Sequence, residues 1–88
     1  MSKAARKILA KMRRTVAGWK ASDFRALYTG FGFREVQGKK HTQYEHSGTN
    51  QWVTVTRASG EISECYAKDA IIAIERVLAF EAERADNE

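Results

Sequence analysis

The side chains of this chain that can carry a proton or attack near neutral pH are few: His41, His46 and Cys65. His41 is the one in a suggestive setting, because it follows Gly38-Lys39-Lys40. A histidine titrates near neutrality, and two adjacent ammonium groups would draw a phosphodiester towards it. RNA brings its own nucleophile, the 2′-hydroxyl. Its cleavage therefore needs a general acid or base and positive charge on the developing phosphorane, and no metal. His41 with Lys39 and Lys40 meets that minimum, and Gln43 is placed to assist orientation. The same pattern also fits a solvated histidine in a polar strand. His46, in Tyr44-Glu45-His46-Ser47-Gly48, reads as a turn residue or a partner to the site. Cys65 has no evident basic neighbour and sits before a helix, which predicts a small buried structural residue. Glu61 and Glu64 read as part of a solvated loop. One cysteine and two histidines do not supply the ligand set of a structural zinc site, so neither metal nor cofactor is expected.

The charge of the chain is divided. Residues 1–40 carry eleven Lys and Arg against Asp23 and Glu35, a balance of +9, while residues 41–88 carry four against nine, a balance of −5. A positive pole of this kind meets phosphate, an anionic surface or an acidic partner. At 88 residues there is room for one small core. Hydrophobic residues at 43% and charged residues at 30% predict a folded globular chain and exclude disorder. No apolar run of about 18 residues occurs, which excludes a spanning helix. The basic start lacks the apolar centre of a secretory signal. With a single cysteine, a reducing cytoplasmic setting is expected.

These side chains need elements to hold them. Ala5, Ile8, Leu9, Met12 and Val16 recur at helical spacing and predict a basic amphipathic helix over 1–18, ended by Gly18. Ser22 reads as the N-cap of a second helix carrying Phe24, Leu27, Tyr28 and Phe31. Three strands follow, over 33–37, 40–45 and 51–57, separated by Gly38-Lys39 and by Ser47-Gly48-Thr49-Asn50. A last helix runs over 67–84, and residues 85–88 read as a frayed tail. The order α-α-β-β-β-α predicts an α+β fold: a three-stranded antiparallel sheet with helices on one face. Strand side chains alternate, so with Tyr44 in the core His41 and Gln43 point to solvent. Val53 and Val55 make the inner pair of the third strand, which leaves Trp52 outward, unusual unless it meets a ligand.

Residues 19–80 resemble the HicA family of toxins, ribonuclease halves of toxin–antitoxin pairs. The resemblance rests on Trp19, Ser22-Asp23-Phe24-Arg25-Ala26-Leu27, Gly32-Phe33, Gly38-Lys39-Lys40-His41-Thr42-Gln43-Tyr44, Trp52-Val53-Thr54-Val55 and Tyr66-Ala67-Lys68-Asp69-Ala70-Ile71. It implies a double-stranded-RNA-binding-like domain over 19–84 behind the extra helix. It also implies metal-independent cleavage of mRNA by one histidine, and silencing by a HicB-like antitoxin. His41 takes the catalytic place and Tyr44 the aromatic one. The family motif is Gly-Ser-His followed by a second histidine. Here Lys40 stands for the serine, Thr42 for the second histidine, and Gly38 lies one residue farther away.

The expectation is therefore an endoribonuclease toxin with His41 as general acid or base. Lys39, Lys40 and Gln43 would bind RNA, joined by Lys11, Arg13 and Arg14 of the basic helix. Its partners would be mRNA and the antitoxin, with no membrane and no small-molecule cofactor. Two alternatives keep parts of this reading: a non-catalytic RNA-binding module of the same fold, and a protein–protein adaptor whose basic helix meets an acidic partner.

Overall fold

The structure is a computed structural model and describes residues 2–87. Its order is α1 (Lys3–Arg14), α2 (Ala21–Gly30), β1 (Arg34–Gln37), β2 (His41–His46), β3 (Gln51–Thr56) and α3 (Glu64–Asn87). The three strands form one antiparallel sheet in the order β1-β2-β3. Helices α2 and α3 pack on one face of it, and α1 rests on α2 and α3.

The apolar periodicities explain this layering. Ala5, Leu9 and Met12 of α1 are buried together with Phe24, Leu27 and Tyr28 of α2. The basic helix is thus part of the single core. From α3 the buried residues are Ala67, Ala70, Ala73, Ile74 and Val77; the sheet adds Tyr44 and Val55. Tyr28 stacks on Tyr44 with ring centres 4.7 Å apart. This contact joins helix layer to sheet at the centre of the molecule.

Several element ends differ from the sequence reading. α1 stops at Arg14, four residues before Gly18. The Thr15 N–H closes the last turn on the Lys11 carbonyl, and Thr15 itself is extended, as suits a β-branched residue beside Val16. The second helix is capped at Lys20 instead of Ser22. Asp23 accepts the Lys20 N–H at 2.9 Å, so a carboxylate in the first turn closes the end that a serine was expected to close. Lys20 is held extended by a bridge to Glu61 and by the Ile62 N–H on the Trp19 carbonyl. α3 begins at Glu64 and runs through Asn87, past Arg84, so the expected frayed tail is helical to that point; Glu88 lies outside the described residues. Cys65 thereby falls in a first helical turn and is exposed, a correction to its expected burial. Ala67, two positions on, takes the inward place instead.

Candidate nucleic-acid interface

The β1–β2 hairpin builds the candidate site. Gly38 donates its N–H to the His41 carbonyl at 2.9 Å. A Cβ at Gly38 would lie 2.6 Å from that same oxygen, so only glycine allows the backbones to approach this closely. The tight closure leaves Lys39 and Lys40 exposed at the tip and starts β2 at His41.

Alternation then sorts the faces. Along β2, His41 and Gln43 are exposed and Glu45 is half-buried, while Thr42, Tyr44 and His46 are buried under the helices. The register extends this face across the sheet. His41 pairs with Thr56, Gln43 with Val36 and Thr54, and Glu45 with Arg34 and Trp52. At the hairpin end the face is hollowed into a depression of about 410 Å³, lined by Lys39, Lys40, His41 and Gln43 with Val36 and Thr54 at its sides. The His41 ring makes no hydrogen bond or ion pair with any described residue. An unpaired imidazole beside two ammonium groups can exchange a proton with a bound phosphodiester.

Arg57, which the sequence reading passed over, belongs to this corner. Its Nη1 donates to the Gly38 carbonyl at 2.7 Å, and its backbone N–H donates to the Lys40 carbonyl at 3.2 Å. The only hint in the sequence was positional: Arg57 follows Thr56, the residue that the strand register sets opposite His41.

The remaining expected RNA contacts do not gather there. Lys11, Arg13 and Arg14 lie in the last turn of α1, a helix that rests on α2 and α3, and none of them lines the depression. Their charge suits the carbonyl end of the helix, and Arg13 faces Glu75 at 3.7 Å. His46, expected as a turn residue or a partner to the site, is instead the last residue of β2, buried and paired with Gln51. Its Nδ1 accepts the Thr49 N–H at 3.0 Å, and the ring packs on Phe33 at 5.0 Å. Accepting at Nδ1 puts the neutral ring's proton on Nε2. Trp52 is outward as expected, with 63% of its surface exposed. Among the described residues no group of three or more His, Cys, Asp and Glu is arranged to hold a metal ion. Among them, too, no helix is long and apolar enough to cross a membrane.

The fold and this face define a small α+β protein with an open, basic-cornered sheet. No protein-family profile, no curated protein and no solved structure matches the chain.

Proposed function

We propose that this chain is a metal-independent endoribonuclease of the HicA kind, with a double-stranded-RNA-binding-like fold, acting on mRNA. The observation that supports this reading is the exposed, unpaired His41 ring in a depression shared with Lys39, Lys40 and Gln43. RNA lies across the open face with one phosphate at the hairpin. The adjacent 2′-hydroxyl oxygen attacks phosphorus and the bond to the 5′-oxygen breaks, leaving a 2′,3′-cyclic phosphate and a free 5′-hydroxyl. His41 either takes the proton from the 2′-hydroxyl or gives one to the departing 5′-oxygen; water completes the other transfer. Lys39 and Lys40 offset the charge that develops on the phosphorane.

The departures from the family motif bear on this unequally. Thr42 stands where the second histidine is expected, yet it faces the helix layer, so its identity takes nothing from the open face. Lys40 in place of serine exchanges a hydroxyl for a charge beside the phosphate. A HicB-like antitoxin with an acidic segment would silence the protein by covering His41. One observation favours the non-catalytic RNA-binding alternative: no second histidine and no carboxylate lines the depression with His41.

Cleavage of a synthetic single-stranded RNA in the presence of chelator decides between these. His41→Ala is expected to fold like the parent, bind RNA with the same salt dependence, and cleave about 100-fold or more slowly. Replacing Lys39 or Lys40 by alanine should lower the slope of log affinity against log salt by roughly 0.7 per lysine. A His41→Ala protein that cleaves as fast as the parent removes His41 from the mechanism. Salt-sensitive binding without cleavage by either protein assigns the non-catalytic module. Absence of RNA affinity leaves the adaptor.

A further inference from the structure

We propose that the opposite end of the open face, at the β2–β3 turn, is a nucleobase subsite in which one unstacked base lies on the Trp52 indole beside the Arg34–Glu45 ion pair. The proposal rests on the RNA-binding reading of this face and adds to it where a base is held.

Among the described residues Trp52 is one of two large hydrophobic side chains left exposed, the other being Ile72 on α3. An indole offers an apolar ring face whose burial is favourable, yet the described residues leave 63% of the Trp52 surface uncovered. The register puts it in one row with Glu45 and Arg34 across the sheet. Beside it lies a hollow of about 380 Å³ bounded by Trp52, Arg34, Glu45, Ser47 and Asn50. A flat apolar wall with a few convergent polar groups is the make-up of a small-ligand site.

The polar groups indicate which ligand. Glu45 Oε2 accepts from both Nε and Nη2 of Arg34, the first at 3.1 Å, which pins the guanidinium in place. A pinned guanidinium plane next to an indole makes a broad stacking platform, and bases stack on both surfaces. The other carboxylate oxygen, Oε1, takes no hydrogen bond from a described residue, and is free to accept an N–H from a base edge. The same carboxylate repels a phosphate. An apolar protein segment would have to strip water from this ion pair, which is unfavourable. A base with a hydrogen-bonding edge satisfies both the ring face and the carboxylate.

Position fits the substrate too. Trp52 is four residues along β3 from Thr56, the partner of His41. At about 3.3 Å per residue the indole stands roughly 13 Å from the His41 row. A phosphate at the hairpin and a base on Trp52 would thus be separated by a short length of one strand. Only single-stranded RNA can present a splayed base this way, so the subsite selects loops and unpaired segments.

The test measures binding of short single-stranded oligoribonucleotides to the full chain carrying His41→Ala, which prevents cleavage during titration. Trp52→Phe should keep affinity within a few-fold. Trp52→Leu, equally apolar at an exposed position, should weaken it about 5-fold to 100-fold, with no change in the salt slope, because stacking carries no counterion release. Deleting single bases from the oligonucleotide should reproduce that loss at one position and abolish the difference between the two proteins there. Unchanged affinity of Trp52→Leu overturns the subsite while leaving the RNA reading intact. A parent that self-associates through Trp52, with unaltered RNA affinity in the leucine variant, assigns the indole to a protein contact and also overturns it. A parent with no RNA affinity removes the underlying reading itself.

Discussion

Arg57 holds the carbonyl of Gly38 at 2.7 Å from its Nη1, so the residue just past the end of β3 clasps the hairpin that presents His41. Its backbone N–H meets the Lys40 carbonyl as well, and the two bonds bracket the Lys39-Lys40 tip from one side. On the proposed reading Arg57 acts on the site through the hairpin backbone and is a positioning residue.

Arg57→Ala should cost about 0.5–1.5 kcal/mol of stability, the worth of one ordinary hydrogen bond. Its more telling effect is local. Hydrogen exchange at the amides of residues 38–41 should accelerate more than exchange in the β2–β3 ladder. On the proposed ribonuclease reading, RNA cleavage should fall in kcat with little change in KM. A rise in KM together with a smaller salt slope would mean that Arg57 instead contacts phosphate directly.

Gly38 and Gly60 make a matched pair for testing the hairpin. At Gly38 a Cβ would press on the His41 carbonyl at 2.6 Å, whereas at Gly60 a Cβ meets nothing within 4 Å. Gly38→Ala should therefore destabilise by about 1–3 kcal/mol in urea unfolding, with loss of the β1–β2 pairing. Gly60→Ala should be neutral or gain about 0.4–1 kcal/mol from the stiffer unfolded chain. Equal midpoints for the two variants would show that the hairpin relaxes without strain.

What the sequence revealed of this site follows from physics of short range. Alternation needs only neighbouring residues, so placing Tyr44 in the core correctly sent His41, Gln43 and Trp52 outward. Helical periodicity likewise picked out Ala5, Leu9 and Met12 as the buried stripe of α1. The facts that stayed hidden depend on where elements meet. Amphipathicity says that Lys11, Arg13 and Arg14 face away from the core, not which side of the sheet the helix occupies. Arg57 became visible only once β3 was in register with β2. Cys65 was misjudged because a shift of the helix start by three residues turned its side chain outward. The cap of α2 eluded pattern reading because Asp23 reaches back to Lys20 in a geometry held by the distant Ile62 and Glu61.

The core also predicts alkaline sensitivity. The Tyr28 hydroxyl is buried with no hydrogen-bond partner among the described residues, and its ring lies between Tyr44 and Phe33. Burial first, then the charge of Asp69 and the neighbouring Tyr44, pushes its pKa far above the ordinary 10.0. Tyr44 is raised too, chiefly by burial and then by Glu35, whose carboxylate accepts its hydroxyl at 3.2 Å; Arg25, on the same oxygen at 2.9 Å, opposes part of this. Both phenols are therefore held protonated in the folded state, and the unfolded chain ionises first. The sign follows: stability is full below about pH 10 and is lost as pH rises beyond it, by up to about 1.4 kcal/mol per pH unit for Tyr28. Tyr28→Phe should remove that share of the alkaline loss. It should also raise stability at neutral pH by about 1 kcal/mol, because an unsatisfied buried hydroxyl disappears while the ring contacts remain. Urea unfolding of parent and variant at pH 7.5 and above pH 10 reads both effects; a Tyr28→Phe protein less stable than the parent at pH 7.5 would show that the hydroxyl is satisfied after all.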